Sequence, residues 1–366
     1  MRLLLLFLLF PLYGLAQIPV VPQLRAVLPD TLSESSGIEY INDTCLWTHN
    51  DSGDPGTLYQ IDTAAHILRI LHLQNVSAYD CEDIAQDSAG NFYLGDFGNN
   101  ANNRQDLRIY KIPPPQTITG DSITPQLIQF SFADQTAFPP PAAEQNFDCE
   151  AMFHYRNALY VFSKNRGTST YSRMYKMPDT AGVYSLMPID SFNTQQWITS
   201  ADISPTGTQM VLFSEFNIYL FTNFTADNFF QGNVTHFTMT PYTQKEAVVF
   251  ATDSLLWLTD EVLFSFGGKM YTIHIPTALS VSAPVQPQQL QFTLYPNPAI
   301  DELVVTFEDP EYSWQILTPA NQLVLSGTSV SNRTTISTAA LRPGIYQLQI
   351  TTASGRRGTQ LLLRTQ

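Results

Sequence analysis

Positive charge is what this chain has least of. Only 18 of its 366 residues are Lys or Arg, against 32 Asp or Glu, for a formal net charge of −14. Nucleic-acid binding needs clustered cations that displace counterions from phosphate, so no nucleic-acid partner is expected. Cysteine is nearly as rare. Cys45, Cys81 and Cys149 are too few for a disulfide-built scaffold; a Cys81–Cys149 bridge is left open by the sequence, and Cys45 stays unpaired either way. Past the first dozen residues no apolar run approaches the ~20 residues of a membrane helix, so no transmembrane segment is expected. Helical periodicity is missing throughout. So are a Walker loop, HExxH, a GxSxG elbow and CxxC, which removes the usual signatures of nucleotide, zinc-protease, serine-hydrolase and dithiol chemistry.

What is present begins with an export signal. Arg2 supplies a positive start, Leu3 to Leu12 an apolar run, and Gly14-Leu15-Ala16 a small-residue cleavage site before Gln17. Residues 1–17 read as a secretory signal peptide, with no Cys after the apolar run to carry a lipid anchor. Aromatics make up 12% of the chain, and Pro and Gly punctuate its whole length. That composition fits an all-β protein of short strands.

One interval recurs. Glu82 and Asp96, Glu150 and Lys164, and Glu246 and Asp260 are each 14 residues apart, and Ser36–Asn50 and Ala201–Glu215 keep the same spacing. Two positions after each first member comes an apolar residue (Ile38, Ile84, Met152, Ile203, Val248). Beyond each second member comes a tyrosine: Tyr59, Tyr110, Tyr175, Tyr219 or Tyr271. Self-similarity of this kind marks a repeat architecture. Short alternating segments split by Asp/Ser/Gly turns describe four antiparallel strands per unit. Residues 18–279 are therefore expected to form a β-propeller of five blades, or six if 116–146 hides a degenerate one. The fifth unit lacks a fourth strand, and Leu24 to Leu28 is a spare one. The N-terminal segment is expected to complete the last blade and seal the ring.

A strand, a tight turn and a returning strand bring residues 14 apart back to one end of a hairpin. In a propeller the first strand of each blade lines the channel. Glu82, Glu150 and Glu246 should then circle one mouth, with Asp96, Glu215, Asp260, Asn50 and Lys164 beside them and the tyrosines packing further out. Carboxylates crowded at one opening raise one another's pKa or recruit a cation, and hard oxygen donors suit Ca²⁺. The expected metal ligands are Glu82, Asp96, Glu150, Glu246 and Asp51; the expected ligand contacts are Asn50, Lys164, Glu215 and Asp260. The competing reading makes each acid a fastener that caps N–H groups of a neighbouring blade. Lys164, alone among acids, is read first as a counter-ion. No catalytic residue is assigned.

Residues 280–291 read as a Pro/Gln/Ser linker, and 292–366 alternate as the strands of a small β-sandwich. Within it, Leu294-Tyr295-Pro296-Asn297-Pro298-Ala299, Leu341-Arg342-Pro343-Gly344-Ile345-Tyr346 and a Gly-basic hairpin before a final apolar strand carry a specific likeness. The segment resembles the type A C-terminal sorting domain of the type IX secretion system of Bacteroidetes. That resemblance implies handling by the type IX machinery at the outer membrane, then removal of the domain, with release of the cargo or its attachment to surface polysaccharide. The propeller strings Asn50-Asp51-Ser52-Gly53, Asp80-Cys81-Glu82-Asp83 and Gly95-Asp96-Phe97-Gly98-Asn99-Asn100 resemble uncharacterised secreted bacterial propellers, which implies no activity. More distantly the chain is similar to metal-dependent lactonases and esterases, which place calcium at the mouth of six-bladed rings, and to five-bladed glycosidases with three carboxylates in a funnel. The reading that results is a secreted or cell-surface propeller whose acidic mouth binds a divalent cation, and a ligand through it. The alternatives are a calcium-dependent hydrolase of an ester, lactone or phosphoester, with Glu82, Glu150 or Asp96 as base, and behind it a glycosidase.

Overall fold

The computed structural model describes residues 17–51, 53–263, 266–275, 292–319, 322–352 and 357–365; the expected signal sequence up to residue 16 and the linker at 280–291 lie outside them. In the larger of two units, five sheets run outward from the inner strands Ser35–Asn42, Cys81–Gln86, Asp148–Tyr155, Ser200–Ile203 and Lys245–Thr252, here blades 1 to 5. Each inner strand touches the next, and the fifth touches the first. This is a five-bladed β-propeller. Residues 116–146 hold no sixth blade: they supply Ser122–Ile123, an edge strand of blade 1, and Gln126–Phe132, the fourth strand of blade 2.

Burial explains the strand sequences. A middle strand is covered on both faces by neighbouring blades, so all seven residues of Ala158–Lys164 are buried. Outer strands such as Ile67–Leu73 keep the alternation of a half-covered sheet. Between blades 3 and 4, Phe153, Tyr160 and Phe162 pack with Met210, Leu212 and Phe221. Blade 5 takes its fourth strand, Gln23–Val27, from the N-terminal segment, antiparallel to Lys269–His274. Just before it, Gln17–Val20 extends blade 4 in parallel. One short segment thereby covers two sheet edges that would otherwise invite pairing.

The smaller unit is a sandwich. A three-stranded sheet (Thr293–Tyr295, Glu302–Thr306, Arg333–Ser337) faces a four-stranded one (Leu323–Val330, Glu311–Leu317, Gly344–Thr352, Arg357–Arg364). Leu303, Val305 and Ile336 pack there with Ile316, Leu348, Ile350 and Leu362. Cys45, Cys81 and Cys149 are free thiols, the last two buried. Among the described residues no helix is long and apolar enough to cross a membrane.

Candidate functional site

Four of the five inner strands carry a β-bulge at the same place. Pairing with the second strand jumps from Ser35 to Gly37, Cys81 to Asp83, Cys149 to Ala151 and Lys245 to Ala247. The skipped residues are Ser36, Glu82, Glu150 and Glu246, the first members of the 14-residue intervals. A bulge leaves its extra residue out of the ladder and re-aims the side chain. Blade 4 pairs without a bulge, and its equivalent residue, Ala201, is buried in the core.

Two acids at the far end of the interval, Asp96 and Asp260, act as fasteners. Asp96 is fully buried; it accepts the backbone N–H groups of Tyr79 and Asp80 at 3.2 and 3.1 Å and the Arg104 guanidinium at 3.0 Å. Asp260 accepts the Lys269 N–H at 2.7 Å and the Tyr271 hydroxyl at 2.8 Å. The repeated tyrosines therefore do more than pack: Tyr59 and Tyr175 likewise donate to Asp54 and Asp134. Asn50 is tied to the turn before the first inner strand, its amide donating to the Thr31 carbonyl at 2.9 Å.

On the blade 3 side of the mouth the acids are neutralised. Glu150 meets Lys164 Nζ at 2.9 Å and Arg166 Nη2 at 3.1 Å, and Arg166 Nε donates to Asp148 at 2.6 Å. Burial alone would lower the pKa of the Lys164 ammonium, but Glu150 and Glu246 outweigh it and hold it raised. The indole of Trp197 covers both cations, its ring centre 4.8 Å from the Arg166 guanidinium and 5.8 Å from Lys164 Nζ. Burial pushes Glu246 up to about 7 despite Lys164, and it raises Glu215 against the pull of Lys164 and Arg166. Glu261 accepts from Ser36 at 2.9 Å and Gln244 at 2.6 Å, and is pushed up to about 9 by burial and by Glu246.

The blade 1–2 side is different. Carboxylate oxygens of Asp51, Asp80 and Glu82 lie within 4.8 Å of one another; among the described residues no Lys or Arg forms an ion pair with them, and Arg104 and Lys164 act on Asp80 and Glu82 only from farther off. Burial and the charges of Asp80 and Glu150 push Asp51 up to about 8; burial, Glu150 and Asp51 raise Glu82 well above the carboxylate range. Gly98 makes room for them, since a Cβ there would lie 2.2 Å from Glu82 Oε1 and 2.4 Å from Asp80 Oδ2. Three consecutive residues leave buried acceptor atoms unpartnered: His49 Nε2, Asn50 Oδ1 and Asp51 Oδ1. His49 is neutral, its pKa lowered to about 4 by burial, and its Nδ1–H donates to the Asn50 carbonyl at 2.9 Å, so Nε2 is a bare lone pair. The cluster borders a cleft of about 480 Å³ lined by Tyr79, Asp80, Gly98, Asn99, Asn100 and Arg104.

The structure thus brings Asp51 and Glu82 together, leaves Asp96, Glu150 and Glu246 in other hydrogen-bond or ion-pair settings, and adds Asp80 and Glu261. Asp80 had a signal in the sequence, since Asp-Cys-Glu occurs twice, at 80–82 and 148–150. A larger cavity of about 800 Å³ opens at the opposite mouth, where Glu39 and Asp202 line it. Those carboxylates are already used, accepting the backbone N–H groups of Gln86 and Phe250.

Residues 293–363 match the family model described as a secretion system C-terminal sorting domain. The smaller unit is a type IX sorting domain. A chain carrying it is exported to the cell surface or secreted. In this sorting domain the Leu341–Tyr346 turn is pinned by the Leu341 N–H on the Thr338 carbonyl at 2.9 Å and the Tyr346 hydroxyl on the Arg342 carbonyl at 2.9 Å. No curated protein matches the sequence. Among solved structures the chain is similar to PorZ, a surface component of the type IX secretion system of Porphyromonas gingivalis, at 13% identity over 90% of this chain and 51% of that one (TM-score 0.30). It is also similar to a gluconolactonase from Xanthomonas campestris, at 12% identity over 63% and 69% (TM-score 0.37), and to a protein from Lactobacillus plantarum, at 15% over 83% and 87% (TM-score 0.34). The chain spans about half the length of PorZ.

Proposed function

We propose that this protein is a secreted or surface-displayed propeller that binds a divalent cation, Ca²⁺ by the chemistry of its donors, and recognises a ligand through it. Asp51, Asp80 and Glu82 would hold the ion, and the neighbouring cleft would take the ligand. The observation that carries this is the convergence of three carboxylates within 4.8 Å, with no direct ion pair among the described residues, beside a blade whose equivalent acids have two. The donors fit the ion: all are hard oxygens, Asp51 Oδ1 is buried without a partner, and Gly98 clears the space in front of Glu82 and Asp80. A bound divalent ion supplies positive charge that replaces the protons otherwise retained by these acids. The cleft of about 480 Å³ is of a size for a small ligand; its Asn99 and Arg104 side chains are tied into the fold, which leaves the Asn100 amide on its wall. Glu246 and Glu215 complete an acidic rim, and Lys164 serves as counter-ion to Glu150. Delivery through the type IX machinery, removal of the sorting domain and attachment to surface polysaccharide complete the proposal.

Melting of the purified protein in Ca²⁺ and in chelator tests it. Calcium at about 100 times Kd is expected to add about 2.7 kcal/mol of stability, and Asp51→Asn with Glu82→Gln to abolish the gain. An identical Tm in calcium and chelator, with no heat of calcium binding by calorimetry, overturns the proposal.

A further inference from the structure

A second feature of the rim stands apart from the carboxylates. The segment joining blade 3 to blade 4 presents Trp197, which is 49% exposed, and it does so from a fixed backbone. Thr194 and Ile198 on either side are buried, and Ile198 packs in the core between these blades. The Thr194 hydroxyl donates to the Gln196 carbonyl at 2.7 Å, the Gln195 N–H donates to the Thr170 carbonyl at 3.1 Å, and the Tyr219 hydroxyl closes onto the Thr194 carbonyl. Gln195 takes a left-handed conformation, φ 53°, uncommon for a residue other than glycine. The indole covers Arg166 and Lys164, and an anchored, partly strained loop still holds about half of it in water, an apolar surface left over for something outside the fold.

Beside it lies a cavity of about 210 Å³ whose walls include Trp197, Gln195, Gln196, Asn165, Ser169 and Thr170. None of these is charged. Lys164 and Arg166 lie over the indole but do not line the cavity, and both are engaged with Glu150 or Asp148. Among the described residues no hydrogen bond uses the side-chain amide of Gln195 or Gln196. The cavity therefore offers one flat apolar wall and several groups that both donate and accept, with no net charge.

We propose that this cavity binds an uncharged sugar ring, stacked on the exposed part of Trp197 and held at its hydroxyls by Gln195 and Gln196. A pyranose has one apolar C–H face and a girdle of hydroxyls that donate and accept, which matches the indole and the amides in turn. A charged ligand finds no counter-charge in the walls. A purely apolar one strands the amides. The volume suits a single ring, and the open side leaves room for further sugar units.

The test uses the purified full-length protein and a panel of methyl glucosides, galactosides, mannosides and xylosides, with methyl glucuronide as the charged control. Binding is read by calorimetry and by tryptophan fluorescence; Trp47 and Trp257 are buried, Trp314 lies in the sorting domain, and a shift that Trp197→Phe removes is assigned to Trp197. At least one uncharged glycoside is expected to bind in the millimolar range, with the glucuronide weaker. Trp197→Ala should abolish binding, Trp197→Phe retain part of it, and Gln195→Ala with Gln196→Ala weaken it about tenfold, all at unchanged Tm. Chelator and Glu82→Gln should leave sugar binding as it was, so this site and the cation site fail separately. Absence of binding by every uncharged member at tens of millimolar, binding that survives Trp197→Ala, or binding lost in chelator each overturns the proposal.

Discussion

Blades 2 and 3 enter the channel with the same tripeptide and give it opposite surroundings. Asp80-Cys81-Glu82 and Asp148-Cys149-Glu150 sit in matching register, each with its glutamate in the bulge. The difference arrives on the returning strand. Where blade 3 has Lys164-Asn165-Arg166, blade 2 has Asp96-Phe97-Gly98. Lys164 and Arg166 settle on Glu150 and Asp148 at 2.6 to 3.1 Å. In blade 2 the lysine position is an acid spent on backbone N–H groups, and the arginine position has no side chain at all. Charge that a fold does not compensate from within is compensated by protons or by something bound. The broken symmetry, more than the repeat itself, is what the proposed cation site rests on.

The two glutamates are the places to break this comparison. Glu150→Gln leaves Lys164 and Arg166 facing a neutral amide in a buried site. A loss of about 3–5 kcal/mol is expected, or roughly 2–4 °C of Tm per kcal/mol for a domain of this size. Glu82→Gln, measured in chelator, replaces an acid that burial and neighbouring carboxylates already hold protonated, and is expected to leave stability unchanged or raised. Urea unfolding of both variants at neutral pH decides; equal losses would erase the distinction between the blades. Asp83 gives a smaller effect. It accepts from the Ile84 and Met152 N–H groups at 3.0 and 2.8 Å and meets the Ser200 hydroxyl at 3.3 Å, tying blade 2 to blades 3 and 4. Asp83→Ala should cost about 1–3 kcal/mol by stranding a buried amide, while the calcium-dependent rise in Tm persists. If that rise is lost with Asp83, the ion depends on more than the three carboxylates.

pH sharpens the same contrast. Burial and neighbouring charge push Asp51 up to about 8 and Glu261 up to about 9, against about 4 in an unfolded chain. Between these values the folded state binds more protons than the unfolded one, so stability falls as pH rises. In chelator, unfolding free energy should decline from about pH 4 to pH 9 and level off above. Calcium should flatten the decline, because the ion takes the place of the protons. Unfolding curves at several pH values, with and without calcium, read both slopes. A flat profile in chelator would mean that the mouth is not crowded with uncompensated charge.

Much of the propeller could be read from spacing. A count of 14 recurs in all five units, in four of them with a bulge at the first residue, and the spare strand near Leu24 found its partner in Lys269–His274. The bulge itself was not legible, since no residue type announces it: Ser36, Glu82, Glu150 and Glu246 share only position. Nor was the role of Asp96. An acid at the second site looks the same whether it faces a cation or caps the Tyr79 and Asp80 amides, and only the path of the turn decides. Asp80 stood in plain view, but the interval began at Glu82 and passed over it. Trp197 has no counterpart in the other units, so a reading built on repetition had no place for it. The sorting domain was legible from its end motifs, whose turn is fixed by local hydrogen bonds.

The smallest change offers the finest test, because it alters no charge. Gly98 lies two residues beyond Asp96, where blade 3 carries Arg166, and a methyl group there would fall within 2.4 Å of both Asp80 and Glu82. Gly98 does not adopt a left-handed conformation, so alanine adds no backbone strain. To admit the methyl group the two carboxylates must move; Asp80, which lines the cleft beside Asn99 and Asn100, is the one that borders open space. Gly98→Ala is therefore expected to cost no more than about 1 kcal/mol in chelator, near the lower end for core overpacking. That movement shifts the donors apart, so most of the calcium-dependent gain in Tm should disappear. Calorimetric titration with calcium separates the two effects. If Gly98→Ala binds the ion as wild type does, the vacancy left by the missing arginine is incidental, and the contrast between blades 2 and 3 reduces to charge alone.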